Sequence, residues 1–154
     1  MNDSVVNLLA DKLAIIELIN RFGISIDLRD WRSFRNLFAE RVDFDYSSID
    51  EVAGILQADD IANTARQDLG GFQMTQHVIT NHLIEINNDT ATCNAHVRAM
   101  HFLPATDKES LLEIGGYYDA ELIRTDTDWK IESWKFTILW SRGDLELFEL
   151  AKRN

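Results

Sequence analysis

The stretch FGISIDLRDWRSFRNLFAERVDFDY, residues 22–46, places one carboxylate, Asp27, at the end of an apolar helix face. Helical spacing puts Asp27 in one row with Leu9 and Leu13, beside a second apolar row. A carboxylate on a buried face needs a partner, because burying an unpaired charge is costly. Asp27 also fits a simpler role, in which it ends the helix and caps the next turn. This stretch alone leaves both interpretations open.

Outward from this stretch, the spacing of apolar residues predicts three helices and five strands. The helices are expected over 5–27, from Asp30 to Arg41 with Trp31, Phe34, Leu37 and Phe38 at helical spacing, and over 57–69. The strands are expected over 42–46, 73–87, 91–104, 111–125 and 128–140. Residues 144–152 fit either a short helix or an extended tail. Helices followed by a curved, mainly antiparallel sheet predict an α+β fold, with the sheet wrapped around the long first helix.

The composition favours a single cytoplasmic domain spanning residues 1–154. Of the 154 residues, 45% are hydrophobic, which suffices for one sizeable core and not for two. A formal net charge of −11 disfavours nucleic acid and anionic membrane surfaces as partners. The single cysteine, Cys93, excludes an intramolecular disulfide and fits a reducing compartment. The start, MNDSVVNLLADK, has neither the basic and apolar regions of a signal peptide nor a transmembrane span.

Four histidines, His77, His82, His96 and His101, lie on the first two long strands. A tight hairpin centred near Asn88 makes His77 face residue 100 or 101 across the ladder. His77 and His101 are therefore predicted neighbours. The alternation of a regular strand predicts that His82 points to the opposite face from His77.

An Asp–His dyad is the chemistry that these residues favour. Asp27 would hold the His77 imidazole in one tautomer and leave its second nitrogen free as a general base. A metal site is the alternative, because Asp27, His77 and His101 formally supply two histidines and a carboxylate, but the sequence has no H-x-x-H spacing. Nucleophilic hydrolysis is disfavoured because G-x-S-x-G is absent and Cys93 lies in an ordinary alternating strand.

Three motifs resemble the SnoaL-like branch of the nuclear-transport-factor-2-like superfamily in order and spacing. They are IDLRDWRSFRNLFAERVDFDY, QHVITNHLIEINNDTATCNAHV and IGGYYDAELIRTDTDWKIESW. The resemblance covers nearly the whole chain and implies a cone, made by a curved sheet and three helices, that encloses an apolar pocket. Within that branch, the chain also resembles the scytalone dehydratase and hexachlorocyclohexane dehydrochlorinase families of lyases.

The resemblance to these lyases implies roles for individual residues. The dyad aspartate falls on Asp27 and the dyad histidine on His77, while a second pocket histidine falls near His101 and a pocket tyrosine near Tyr46. Two positions depart from the pattern. Ile26 stands where the dehydratase carries a tyrosine, and Phe22 stands where the dehydrochlorinase carries a lysine. Neither specific reaction is therefore expected to carry over.

These observations together predict a lyase or isomerase without a cofactor that acts on a small, largely apolar, cyclic molecule. His77 would be the base and Asp27 its orienting partner. Contacts to the substrate would come from Tyr46 and His101, and wall residues from Trp31, Phe72 and Trp134. A non-catalytic protein that binds a small molecule or assembles with a partner through the same pocket is the alternative, because fold alone does not fix function. The resemblance also implies a homodimer paired through the outer face of the sheet.

Overall fold

Four helices and six strands make up the part of the chain that the computed structural model describes, residues 3–104 and 110–154. The helices are α1 (Asp3–Asp27), α2 (Trp31–Arg35), α3 (Ala58–Leu69) and α4 (Leu147–Ala151). The strands are β1 (Phe38–Asp45), β2 (Ala53–Gln57), β3 (Met74–Asn87), β4 (Thr90–Phe102), β5 (Leu111–Arg124) and β6 (Trp129–Arg142). The predicted α+β class is confirmed, and residues 144–152 contain a short helix rather than an extended tail.

The six strands form one sheet in the order β2-β1-β6-β5-β4-β3. Every neighbouring pair is antiparallel except β1 and β6, which run parallel. The alternating sequence of the long strands explains this arrangement, because one face of each strand is buried and the other faces solvent. Helix α1 packs across β3, and the core lies between the helices and the inner face of the sheet.

Only the second half of α1 has the buried apolar face that the sequence predicted. Ile15, Ile19, Phe22 and Ile26 are buried, whereas Leu9 and Leu13 are 52% and 67% exposed. The prediction was therefore wrong for the first turns, and the physical reason is the placement of the sheet. Burial begins one turn after Asp11, which accepts hydrogen bonds from Arg124 and Trp129 at the β5–β6 hairpin.

Among the described helices, none is long and apolar enough to span a membrane.

The second helix is shorter than predicted, because α2 ends at Arg35 and the chain is already in β1 at Phe38. Asp30 caps it as expected, with its carboxylate accepting from the Ser33 amide. Pairing with β6 explains the early end. Phe38 pairs with Ile131, whose amide donates to the Leu37 carbonyl, so the backbone gains sheet hydrogen bonds where the sequence pattern favoured a helix. Strand β2 lies in a region predicted as a loop.

A β-bulge in β3 changes which residues face the core. The register with β4 shifts between Thr80 and Leu83, and Asn81 adopts a left-handed backbone with φ 58°. The extra residue returns His82 to the same side as His77, so the prediction that the two point to opposite faces was wrong. The register also places Ala99 opposite His77, rather than residue 100 or 101.

Close contact between α1 and β3 occurs at Gly23. A Cβ atom at this position would lie 2.7 Å from the Cβ of His77 and 3.3 Å from Cδ1 of Ile79. Such distances are shorter than packed carbon atoms tolerate, so any larger residue would force the helix away from the strand. The absence of a side chain at Gly23 lets the last turn of α1 bring Asp27 beside His77.

Candidate active site

Asp27 and His77 form a hydrogen-bonded pair between the end of α1 and the beginning of β3. Nδ1 of His77 lies 2.7 Å from Oδ1 of Asp27, and the backbone amide of His77 donates to Oδ2 at 2.8 Å. The His77 side chain is 5% exposed and that of Asp27 is 20% exposed. A carboxylate accepts hydrogen bonds, so Nδ1 carries the proton and Nε2 of the neutral ring is left with a free lone pair.

Asp27 also accepts a hydrogen bond from a residue that the sequence reasoning missed. The Thr75 hydroxyl donates to Oδ1 of Asp27 at 3.0 Å. Thr75 in turn accepts from the guanidinium of Arg29 at 2.7 Å. One signal in the sequence pointed to Thr75. It lies two residues before His77, and the period of two in a strand places both side chains on the same face.

The pair adjoins a cavity of about 260 Å³ between the helices and the inner face of the sheet. His77 and His101 are part of its wall, whereas Asp27 lies behind His77 and outside the lining. The rest of the wall is mainly apolar and includes Phe22, Ile26, Val97, Ala99, Ile114 and Phe136. Small side chains in β4, at Val97 and Ala99, leave room there. The free nitrogen of His77 therefore belongs to a residue that borders a largely apolar space.

His101 lies beside His77 and is a neutral group in the folded protein. The two ring centroids are 5.8 Å apart, and His101 also packs against the rings of Phe72 and Phe148. Burial lowers the pKa of His101 from 6.5 to about 3. Nδ1 of His101 lies 3.4 Å from the Leu112 carbonyl oxygen, which can only accept. His101 thus donates through Nδ1, and its Nε2 atom is a hydrogen-bond acceptor.

The buried His101 ring makes the folded state sensitive to acid. Its folded pKa of about 3 lies below the ordinary 6.5, so its contribution is complete above pH 6.5 and is lost as the pH falls toward 3. The slope in this window is about 1.4 kcal/mol per pH unit. Urea unfolding measures how far the free energy of unfolding falls between about pH 7 and about pH 4.5. We expect this fall to be about 2–3 kcal/mol larger for the natural protein than for His101→Phe. Equal losses in the two proteins would contradict this assignment.

Two tyrosines border the same cavity from the inner face of the sheet. Tyr46 follows β1, and Tyr118 lies in β5; both are part of the lining. Burial raises the pKa of Tyr46 to about 12 and raises that of Tyr118 well above its ordinary value. Both hydroxyls are therefore protonated at neutral pH. A side-chain hydrogen bond between them lowers the pKa of Tyr46 and raises that of Tyr118, so Tyr118 donates to Tyr46 and the Tyr46 proton is left for another acceptor. Substrate contact by Tyr46 and His101 stays a prediction.

The three aromatic residues expected to line the pocket, Trp31, Phe72 and Trp134, lie outside its lining. Each packs behind a residue that does line it. Their ring centroids lie 6.4 Å from Phe34, 5.2 Å from His101 and 4.1 Å from Phe22, respectively. The correction has a simple physical reason. Spacing identifies the inward face of an element, but it does not separate the layer at the cavity from the packed layer behind it.

The rim of the cavity is acidic. Among the described residues, Asp50, Asp68 and Glu149 line it together with one cation, Lys152. Nζ of Lys152 lies 3.3 Å from a carboxylate oxygen of Asp68 and 3.0 Å from one of Glu149, so its charge is already paired. Burial raises the pKa of Asp68. An anionic ligand would therefore meet paired or negative groups at this entrance.

The alternative metal site of Asp27, His77 and His101 does not assemble in the part of the chain described. No group of three or more His, Cys, Asp or Glu side chains there is arranged to hold a metal ion. Asp27 and His77 are hydrogen-bonded directly to one another. Cys93 is buried in β4, and burial raises the pKa of its thiol to about 11, which disfavours a nucleophilic thiolate.

Comparisons with known proteins identify the family of the chain and its fold. Residues 7–135 match a family model described as a SnoaL-like domain. A protein from Kribbella flavida is 31% identical, with a TM-score of 0.85 over 94% of this chain and 99% of the other. A protein assigned as a scytalone dehydratase from Novosphingobium aromaticivorans is 19% identical, with a TM-score of 0.79 over 94% and 92% of the two chains. A hexachlorocyclohexane dehydrochlorinase from Novosphingobium barchaimii is also 19% identical, with a TM-score of 0.73 over 91% and 94%. These last two likenesses show a shared fold.

Proposed function

Because the chain belongs to the SnoaL-like domain family, as its motifs predicted, we propose that it is a lyase or isomerase that acts without a cofactor. Its substrate is a small, uncharged, largely apolar ring compound. His77 removes a proton from a carbon atom of the ring, and Asp27 holds the imidazole and stabilises the imidazolium that forms. The activities assigned to two structural neighbours, a dehydratase and a dehydrochlorinase, support this class of reaction.

One observation carries the proposal. The His77–Asp27 bond of 2.7 Å leaves Nε2 unprotonated on a residue that lines an apolar cavity. A general base needs an accessible lone pair, a fixed orientation and a partner that stabilises its protonated form. The pair supplies the last two requirements directly. A wall that only packed against a ligand would have no need of this hydrogen-bonded pair.

Cavity size and charge support a small neutral substrate. The volume of about 260 Å³ lies just below the roughly 300 Å³ at which pockets for drug-sized ligands begin. Apolar side chains dominate the described part of the wall, and Lys152 at the rim is paired with two carboxylates. Carboxylated and phosphorylated compounds would lose their hydration without gaining a free counter-charge.

In the proposed reaction, the C–H bond breaks and its proton moves to Nε2 of His77. In a lyase, the electron pair forms a carbon–carbon double bond as a hydroxyl or halide leaves the neighbouring carbon. In an isomerase, the same proton returns to a different atom. The Tyr46 hydroxyl, which accepts from Tyr118, is the donor for negative charge that develops on the ring, and His101 can accept from a substrate hydroxyl.

Proton transfer to solvent gives a test that does not depend on knowing the leaving group. A panel of neutral hydroxylated and halogenated ring compounds is incubated with the protein in deuterated water and followed by proton NMR. We expect one class to exchange a C–H proton or to lose water or halide. His96→Ala, which changes an exposed histidine of the same hairpin, should retain the activity, whereas His77→Ala should abolish it. Binding without exchange or elimination would favour a non-catalytic carrier.

The homodimer stays a prediction. Met74, Val78, Leu83 and Trp140 are exposed apolar side chains on strands β3 and β6, and they support an interface through the outer face of the sheet. A monomer in equilibrium sedimentation at micromolar concentration would contradict it.

A further inference from the structure

We propose that Arg29 and Thr75 are positioning residues that fix which nitrogen of His77 carries the proton. The inference rests on the proposed function for its chemical meaning, because the orientation of His77 matters most if the ring is a base. Its physical content is independent of any substrate. It concerns a chain of hydrogen bonds from Arg29 through Thr75 to Asp27 and His77.

Arg29 joins the end of α1 to the beginning of β3. Its guanidinium donates to the Ile26 carbonyl at 2.7 Å, to the Phe72 carbonyl at 3.0 Å and to the Thr75 hydroxyl at 2.7 Å. The backbone at Arg29 is left-handed, with φ 58°, and its amide donates to the Ile26 carbonyl as well. A non-glycine residue in this conformation is uncommon. The left-handed turn places the guanidinium against the strand that carries Thr75 and His77.

The direction of each hydrogen bond follows from the donors and acceptors available. A guanidinium only donates, so the Thr75 oxygen is the acceptor in its bond with Arg29. The one hydroxyl proton of Thr75 is then free to point to Oδ1 of Asp27, 3.0 Å away. The Asp27 carboxylate accepts from the Thr75 hydroxyl, the His77 amide and the His77 ring. Of the three donors to Asp27, Thr75 is held by Arg29, and the other two belong to His77 in strand β3.

This arrangement determines the tautomer of His77. Asp27 is held by bonds from two directions, so its Oδ1 atom stays in line with Nδ1 of the imidazole. An ionised carboxylate can only accept hydrogen bonds. Nδ1 must therefore donate, and Nε2 remains unprotonated. Loss of the Thr75 hydroxyl or of the Arg29 guanidinium frees the carboxylate to rotate and lets the other tautomer form.

Two matched pairs of variants separate this role from simple packing. Thr75→Val keeps the shape of the side chain and removes its hydroxyl, whereas Thr75→Ser keeps the hydroxyl. Arg29→Met keeps an unbranched stem and removes all the donors, whereas Arg29→Lys keeps a charge and loses the planar fork that reaches three acceptors. Backbone amide spectra establish first that each variant is folded.

The deciding measurement is the protonation pattern of the neutral His77 ring, read from long-range ¹H–¹⁵N correlation spectra without any ligand. We expect the Nδ1–H form alone in the natural protein and in Thr75→Ser. Thr75→Val and Arg29→Met should show a mixture of the two tautomers, with Arg29→Lys between them. A ring that stays entirely in the Nδ1–H form in Thr75→Val would overturn the proposal, and this pair decides the matter even if Arg29→Met does not fold.

Kinetics add a second readout once a substrate is known. We expect kcat to fall about 10- to 100-fold in Thr75→Val, as for other residues that orient a functional histidine, while KM changes little. Thr75→Ser should restore most of the rate. A fall confined to KM would contradict a positioning role. Because the tautomer is measured without substrate, a shift in Thr75→Val combined with no turnover in the natural protein would sink the lyase proposal and leave this inference standing.

Discussion

His77→Ala is expected to lower kcat/KM for the proposed reaction by about 10²- to 10⁴-fold, which is the range that a general base contributes. The loss arises because no other described group near the cavity has the same properties. His101 has an available nitrogen, but burial lowers its pKa to about 3, which makes it a much weaker base. The measurement is the initial rate with a substrate found in the exchange screen, under conditions where the variant remains folded.

Asp27→Asn tests the role of the Asp27 carboxylate and leaves a side chain of similar size at the end of α1. Asparagine keeps the size of the side chain and can still accept from the His77 amide, but its own amide group can donate to Nδ1. The imidazole would then carry its proton on Nε2, at the cavity side, where it cannot act as a base. We expect a loss of the same order as for His77→Ala. Near-normal rates in both variants would refute the dyad.

Phe22→Ala is expected to lower the free energy of unfolding by about 3–5 kcal/mol, the range for removal of a buried aromatic ring. Phe22 is 1% exposed and lies at the centre of a group of rings. It stacks on Trp134 with centroids 4.1 Å apart, and it contacts Phe34 at 5.0 Å and Tyr118 at 5.3 Å. Its removal would leave a cavity among rigid neighbours. Urea unfolding followed by circular dichroism measures the change.

Leu13→Ala is the matched control, because Leu13 lies in the same helix and is 67% exposed. Its effect should stay within about 0.5 kcal/mol. A Phe22→Ala loss below about 1 kcal/mol would mean that the aromatic group can collapse onto the vacated space. A control that loses stability only at protein concentrations where the chains associate would point to a contact between subunits.

The environment of Phe22 also explains why the reaction is expected to differ from that of the dehydrochlorinase family. The resemblance aligns Phe22 with a lysine in that family. Here the position is enclosed by aromatic rings, and an ammonium group would have no carboxylate partner among Phe34, Tyr118 and Trp134. In the proposed reaction, assistance to a leaving group would therefore come from elsewhere, and Tyr46 is the candidate donor.

The order of the elements and the neighbourhood of Asp27, His77 and His101 could be predicted from the sequence. Long alternating strands and a helix with apolar spacing carry strong local signals. Neighbouring strands joined by a tight hairpin also limit which residues can meet. The predicted register was nevertheless wrong by one or two residues, and His77 and His101 remain adjacent because diagonal neighbours on one face still touch.

The remaining features depend on contacts that no local pattern records. Helical spacing continued through Leu37 and Phe38, but parallel pairing of β1 with β6 took precedence there. The bulge at Asn81 contains no glycine or proline that would have indicated it in the sequence. Arg29 looked like a surface residue of a turn, because its three acceptors come from parts of the chain that only the fold brings together.

The contact at Gly23 links the chemistry of this protein to its evolvability. The spacing between α1 and β3 is set where a single added carbon atom would already collide with His77, so substitutions that shift the helix also separate Asp27 from its partner. Mutations that reshape the pocket by moving α1 should therefore separate His77 from Asp27. New substrate preferences are expected to arise from other lining positions, such as Val97, Ile114 and Phe148, which can vary while the dyad stays intact.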